Sequence, residues 1–313
     1  MISVDDIAAS IQLAMAFEVS GYPKPGNVDR LHDYEDTYFE HFIASAIGMG
    51  SVLRDTAQRG KDVKEGKIRH IDSEVGLFMK KAVEASNRWQ HGGNTHLGTI
   101  ILVIPIALGA GYISDEENID AIKLRKSISE FLKNTTPQDT LNLYDAIRLA
   151  NPAGLGKTNK YDVTEDSGKA EVIKDNITML DIFRFSASYD NISKEWVNNF
   201  EVTFELGYPK FIQYYEETKN INIATVHTFL EILSKYPDTL IARRAGELWS
   251  ARASEMATEV LENGGLLREK GRKLLEEMDK SLRGKENHLL NPGTTADFVA
   301  SSISVACILG FRP

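Results

Sequence analysis

Residues 97–113, LGTIILVIPIALGAGYI, contain no charged side chain. A run this apolar has two homes, lipid or the centre of a protein. Its 17 residues lie at the lower limit for crossing a bilayer. Pro105 and several glycines interrupt it, and the sequence has no second run like it. The pattern therefore predicts one helix buried on every side, with no membrane partner. The rest of the chain must then form a shell around that helix.

The shell reads as helical. Ser3 with Asp6 makes an acidic capping box ahead of Ile7, Ile11, Ala14 and Met15. Residues 36–59 repeat the spacing with Phe39, Phe42, Ile43, Ala46 and Ile47. Residues 72–90 put Val75, Phe78, Met79, Ala82 and Val83 on one face. Ser114 with Glu117 is expected to cap a helix carrying Ile119, Ile122, Ile128 and Phe131. Thr136-Pro137 opens another, through Leu141, Tyr144 and Ile147. Further helices fit 175–189, 193–218, 223–235, 238–263, 265–284 and 294–309. Alternating strand patterns are nearly absent. The expectation is a single all-α domain over residues 1–313, of about ten or more helices. Residues 151–174 read as the longest loop, either functional or disordered.

Composition narrows the partners. A net charge of −9 argues against nucleic acid as the main partner, while leaving room for a local basic pocket. One cysteine, Cys307, excludes internal disulfides and cysteine-only zinc sites and fits a reducing compartment. The opening MISVDDIAAS lacks the basic and apolar regions of a signal peptide, so a cytoplasmic protein is expected. The sequons at Asn134, Asn176 and Asn191 then read as incidental.

Four segments break the helical pattern with glycine, proline and polar groups: 20–30, 91–98, 151–166 and 289–298. Loops at helix ends are where a helical scaffold assembles a site. Glu18 opposes the dipole of its own helix, as a solvated acid or as a site acid or metal ligand. Pro23-Lys24-Pro25-Gly26-Asn27-Val28-Asp29-Arg30 reads as a stiff turn, or as a loop that holds Lys24 and Asp29 for binding. His91 and His96 are five apart, which is wrong for a helical zinc pair. His96 remains a candidate acid–base group or a satisfied helix-end histidine. Gly154-Leu155-Gly156-Lys157-Thr158 lacks the first glycine of a phosphate loop and no strand precedes it. Asp162, Glu165 and Asp166 after it read as Mg²⁺ ligands shared with substrate phosphates, or as a polar loop. Asp297 reads as a cap three residues after Thr294, or as a site acid with Asn291. Asp238-Thr239 precedes Arg243 and Arg244, a cap with or without a phosphate grip.

Taken in order, these motifs resemble the triphosphoribosyl-dephospho-CoA synthase family. The likeness rests on Glu18-Val19-Ser20 followed by the 23–30 loop, on Gly93-Asn94-Thr95-His96 opening an apolar helix, on Asp238-Thr239, and on Asn291-Pro292-Gly293-Thr294-Thr295-Ala296-Asp297. It spans about residues 10–310. Three departures mark a divergent branch. Leu97 stands where the family usually has lysine. NPAGLGKTNKYDVTED replaces a glycine-glutamate stretch. Arg243-Arg244 stands where a histidine-arginine pair is common.

The resemblance implies a transferase that moves the triphosphoribosyl group of ATP onto 3′-dephospho-CoA or a related acceptor. Adenine leaves, and the product is a prosthetic-group precursor of citrate lyase or malonate decarboxylase. Mg²⁺ is the implied cofactor. Breaking the bond at C1′ develops an oxocarbenium-like centre, which calls for a carboxylate, a donor to the leaving base and cations for phosphate. The resulting expectation places Asp29, His96 and Glu18 in catalysis. Lys24, Arg30, Asn27, Asn94, Thr95, Arg243, Arg244, Asn291 and Asp297 would hold substrate and phosphate. Asp29, Glu18, Asp162 and Asp166 would hold metal. An Mg²⁺-dependent nucleotide or N-glycoside hydrolase and a non-catalytic nucleotide-binding protein stay open as alternatives. So does a homodimer.

Overall fold

In the computed structural model, every residue of α5 (Leu97–Tyr112) between its first residue and Gly111 is buried, except Gly98. The described residues are 1–152, 154–284 and 288–313. Around α5 pack α1 (Val4–Ser20), α3 (Gly50–Lys64), α4 (Val75–Trp89), α6 (Ala121–Lys133), α7 (Pro137–Ala150), α10 (Asn191–Val197) and α16 (Gly293–Ile308). Sixteen α-helices and no strands make up the described fold, so it is all-α. No helix among these residues is long and apolar enough to cross a membrane.

Two local devices let the chain pack this tightly around α5. The first is glycine on both sides of the α3–α5 crossing. A Cβ on Gly60 would sit 2.0 Å from the Leu108 carbonyl, and one on Gly111 would sit 1.9 Å from that of Ala57. The two backbones therefore touch directly. The second concerns Pro105. A proline inside a helix leaves the carbonyl four residues earlier without its N–H donor. That carbonyl belongs to Ile101, and the indole N–H of buried Trp196 on α10 donates to it at 3.2 Å.

The remaining helices differ from the periodicity at their breaks. The predicted 36–59 helix divides into α2 (Phe39–Gly48) and α3. The Gln12 amide of α1 donates to the carbonyls of Ala46 and Ile47, so the last turn of α2 finds its partners outside the helix. The helix expected after Ser114 starts later, at Ala121, where the Asp120 side chain accepts from Lys123 N. Part of the 151–174 loop is helical, as α8 (Asp166–Lys174), and α9 (Met179–Ser186) is shorter than predicted.

The predicted 193–218 helix is broken at Asn199 and Phe200, both at positive φ. A π-helical segment, Val202–Gly207, follows and leads into α11 (Tyr208–Thr218). The buried Glu195 carboxylate holds that segment by accepting from Val202 N and Thr203 N at 2.9 and 2.8 Å. After α12 (Ile221–Lys235), the predicted 238–263 helix splits at Gly246, at φ 95°, into α13 (Thr239–Ala245) and α14 (Glu247–Glu262). Helix α15 (Glu269–Arg283) then leads back to α16.

The Trp196 bond gives a prediction. Trp196→Phe keeps most of the packing but strands the Ile101 carbonyl, and should cost about 1–3 kcal/mol. In a Pro105→Ala background, where the helix supplies its own N–H, the same change should cost less. Denaturant unfolding of the four proteins measures the difference.

Candidate active site

The loop after α1 is built to turn a lysine inward. At its start, Asn222 of α12 brackets Tyr22: Tyr22 N donates to Asn222 Oδ1 at 2.8 Å and Asn222 Nδ2 donates to the Tyr22 carbonyl at 2.6 Å. Arg30 fastens the other end, donating to the same Asn222 Oδ1 and to the Ser20 carbonyl. Between them, Asp29 gathers backbone. Its Oδ1 accepts from Leu31 N and His32 N at 3.0 and 2.9 Å, and its Oδ2 accepts from Lys24 N at 3.1 Å.

Helix α15 closes the loop from outside. Arg283 donates to both carboxylate oxygens of Asp279, to Asp29 Oδ2 and to the carbonyls of Lys24 and Asn27. Asp279 in turn accepts from Gly26 N at 2.9 Å. The Tyr34 hydroxyl donates to the Gly26 carbonyl, and the Tyr34 ring stacks on His288 at 3.6 Å.

The result is a fully buried Lys24. Its ammonium pairs with Glu18 in the last turn of α1 and lies 3.3 Å from Asn27 Oδ1. Asn27 Nδ2 donates to Asn291 Oδ1 at 2.9 Å, which joins the loop to the segment before α16. His96, at the start of α5, is also buried. Its Nδ1 lies 3.0 Å from Ser45 Oγ on α2, and its Nε2 has no hydrogen-bond partner. Thr95 donates to the same Ser45 at 3.1 Å, and Ser45 contacts Ser86 on α4 at 2.7 Å. From α16, Asp297 Oδ1 accepts the Thr99 hydroxyl at 2.6 Å. Its Oδ2 stands over Gly98, where a Cβ would lie only 2.0 Å away. Glycine is required there because the carboxylate takes the space of a side chain.

These groups feel one another. Burial raises the Glu18 carboxyl, and the Lys24 charge opposes that. Burial pushes Asp297 up to about 8; the Thr99 hydrogen bond pulls the other way, and the charges of Glu18 and Asp238 add to the rise. Burial, reinforced by Lys24, brings His96 down to about 3, so its imidazole is neutral at neutral pH. Glu18, Lys24, His96 and Asp297 thus form one cluster, drawn from α1, the loop after it, α5 and α16.

A family model for ATP:dephospho-CoA triphosphoribosyl transferases matches residues 4–310. The chain belongs to that family. A 2-(5''-triphosphoribosyl)-3'-dephosphocoenzyme-A synthase of Klebsiella pneumoniae is 24% identical over 306 residues, covering 96% of this chain and 89% of the relative. One from Escherichia fergusonii is 21% identical over 308 residues, covering 96% and 90%. A crystal structure from Archaeoglobus fulgidus, assigned as a triphosphoribosyl-dephospho-CoA synthase, superimposes with a TM-score of 0.64 at 25% identity. It covers 88% of this chain and 100% of its own.

In this triphosphoribosyl transferase family member, several expected site residues stand apart from the cluster. Asn94 is exposed and accepts from Leu97 N at 3.0 Å, so it caps α5. Arg30 is spent on Ser20 and Asn222, and Lys24 on Glu18, which leaves neither turned toward phosphate. Arg243 pairs with Asp190 at 2.6 Å, whereas the charge of Arg244 reaches Tyr34 and His288, so the two arginines diverge. Asp238 caps two helices: it accepts from Leu240 N and Ile241 N in α13 and from Thr295 N and Oγ1 in α16. Asp297 caps nothing in its own helix.

The expected metal ligands do not assemble. Asp162 accepts from Thr158 N, Thr164 N and Thr164 Oγ1, all in its own loop. Asp166 pairs with Arg148 at 2.8 Å on the surface. Asp29 is surrounded by donors and Glu18 holds Lys24. Among the described residues no group of three or more His, Cys, Asp or Glu side chains is placed to hold a metal ion. These carboxylates do not fit a resident Mg²⁺. Of the 151–166 segment, position 153 lies outside the described residues.

Ser45, Asn222, Asp279 and Arg283 were invisible as site residues in the sequence. Asp279 and Arg283 have the i, i+4 spacing of an ordinary surface pair, and nothing local distinguishes them from one.

Two measurements check this geometry. Arg283→Met removes the cation paired with Asp279 and the donor to two loop carbonyls and should cost about 2–3 kcal/mol, with faster amide exchange over residues 24–32. His96 predicts an acid dependence. Its folded value is depressed to about 3 from 6.5, so only the unfolded chain takes the proton between those values. The stability it contributes is complete above pH 6.5 and is lost as pH falls toward 3. His96→Gln should therefore flatten the fall in Tm over that window, relative to the wild type.

Proposed function

We propose that this protein transfers the triphosphoribosyl group of ATP to a ribose hydroxyl of 3′-dephospho-CoA or a related acceptor, releasing adenine. One observation carries the reading. The motifs at 18–30, 93–96 and 291–297 are far apart in sequence, yet they meet in one polar cluster set in an apolar core. A helical scaffold has no structural need for two carboxylates, a lysine and a histidine at one buried point, because each costs free energy to desolvate.

The arrangement suits the chemistry of the transfer. The bond between C1′ and the purine nitrogen breaks and positive charge develops on the ribose. Asp297 is the partly open member of the cluster, and its carboxyl would face that centre. The buried Glu18–Lys24 pair would hold the neighbouring side of the site rigid. Arg244, whose charge reaches Tyr34, marks the side from which a triphosphate would be drawn in. Since the carboxylates are already occupied, Mg²⁺ belongs in this reading to the nucleotide. The identity of the acceptor is the most variable part of the assignment, given Leu97 and the changed 151–166 loop.

Purified protein given ATP, Mg²⁺ and dephospho-CoA should release adenine and form a product heavier than dephospho-CoA by one triphosphoribosyl group, as read by chromatography and mass spectrometry. Adenine without that product would identify a hydrolase instead. Bound but unconsumed ATP, with every acceptor tried, would sink the enzymatic reading. Cytoplasmic residence and a homodimer complete the proposal, and fractionation and light scattering test them.

A further inference from the structure

A purine leaves C1′ more readily as a protonated base than as an anion, so the transfer needs an acid at the leaving group. The cluster contains four titratable side chains, and geometry eliminates three. Lys24 is fully buried, with its ammonium held between Glu18 and Asn27. Glu18 is only 4% exposed and turned toward that ammonium. His96 is only 3% exposed, with its Nδ1 against Ser45 Oγ at 3.0 Å. Asp297 remains. It is the one of the four that is not fully buried, while its Oδ1 accepts from Thr99 and its Oδ2 rests on Gly98.

We propose that Asp297 is the catalytic acid that hands its proton to the departing purine, and that Glu18 is a positioning residue acting through it. The proposal rests on the transferase reading above. The step balances. The C1′–N bond breaks and its electron pair stays with the base, while the Asp297 proton goes to a purine ring nitrogen. The acceptor hydroxyl oxygen bonds to C1′, and its proton passes to solvent, from which Asp297 is recharged.

The surroundings explain why the proton is available at neutral pH. Around Asp297 stand the acids Glu18 from α1 and Asp238 from the start of α13, each of which raises its carboxyl. His96 at the start of α5 is uncharged, and Lys24, the cation of the cluster, is committed to Glu18. Burial and the two neighbouring acids disfavour the ionised form, which pushes the Asp297 carboxyl up to about 8. Neutralising Glu18 removes one opposing charge and uncovers Lys24, and both changes favour an ionised Asp297. This is the sense in which Glu18 acts through it.

The experiment compares ATP with N7-methyl-ATP, whose base departs without taking a proton. Asp297→Asn should lower kcat with ATP by about 10²–10⁴-fold, and with the methylated nucleotide by less than about tenfold. Wild-type kcat with ATP should fall as pH rises through about 8, and Glu18→Gln should move that fall to lower pH. Equal losses on both nucleotides, or an unchanged alkaline fall in Asp297→Asn, would overturn the assignment. A ¹³C-carboxyl titration of the free wild-type protein tests the proton directly. A midpoint for Asp297 in the ordinary range near 4 overturns the proposal even if adenine is released. A wild type that releases no adenine overturns the transferase reading, and with it the catalytic role.

Discussion

The ion pair between Lys24 and Glu18 sets the terms for everything around it. An ammonium taken out of water loses several kcal/mol of hydration, and a partner carboxylate recovers that only in good geometry. The geometry here is imposed from four directions. Asp29 organises the backbone that presents the lysine, Asn222 and Arg30 hold the ends of the loop, and Arg283 caps its carbonyls. Asn27 supplies the second acceptor and reaches on to Asn291. Removing either charge would leave the other buried and unpaired, so the pair specifies one arrangement of the site more than it adds stability.

That explains why the motif residues hold roles other than those their chemistry suggests in isolation. A lysine between two prolines looks like a phosphate ligand, and an aspartate beside an arginine looks like a metal ligand. In the fold, Lys24 is a counter-ion and Asp29 a backbone organiser. Arg30 is a fastener and Asn94 a helix cap. Asp297, which sequence spacing alone could not separate from a capping residue, caps nothing in its own helix and bonds Thr99 instead.

Much of the scaffold was legible. The uncharged 97–113 run could only be central, the box at Ser3–Asp6 forms as its spacing requires, and Thr136 with Pro137 opens α7. What stayed hidden depends on partners distant in sequence. The break after Gly48 needs Gln12, and the π-segment after Phe200 needs Glu195, which sits in the preceding helix but folds back to cap it. Hydrophobic period reports which face is buried and not where a distant side chain interrupts the ladder. The same limit applies to the site. Its loops announced themselves through proline, glycine and asparagine, whereas Arg283 and Ser45 did not, because their neighbours in sequence are unremarkable helix.

The Asn27–Asn291 and Gly26–Asp279 contacts join residues 264 and 253 positions apart. Helix α1 also packs along α16, so the two ends of the described fold form its central seam. Such a topology has a kinetic corollary. Bringing those ends together costs loop entropy before any contact between them can offset it. The polar cluster should accordingly be among the last parts of the protein to form, condensing on helices that are already packed around α5. Until α16 docks, Lys24 remains in water with its charge solvated. The act of completing the site is therefore also the act of desolvating it.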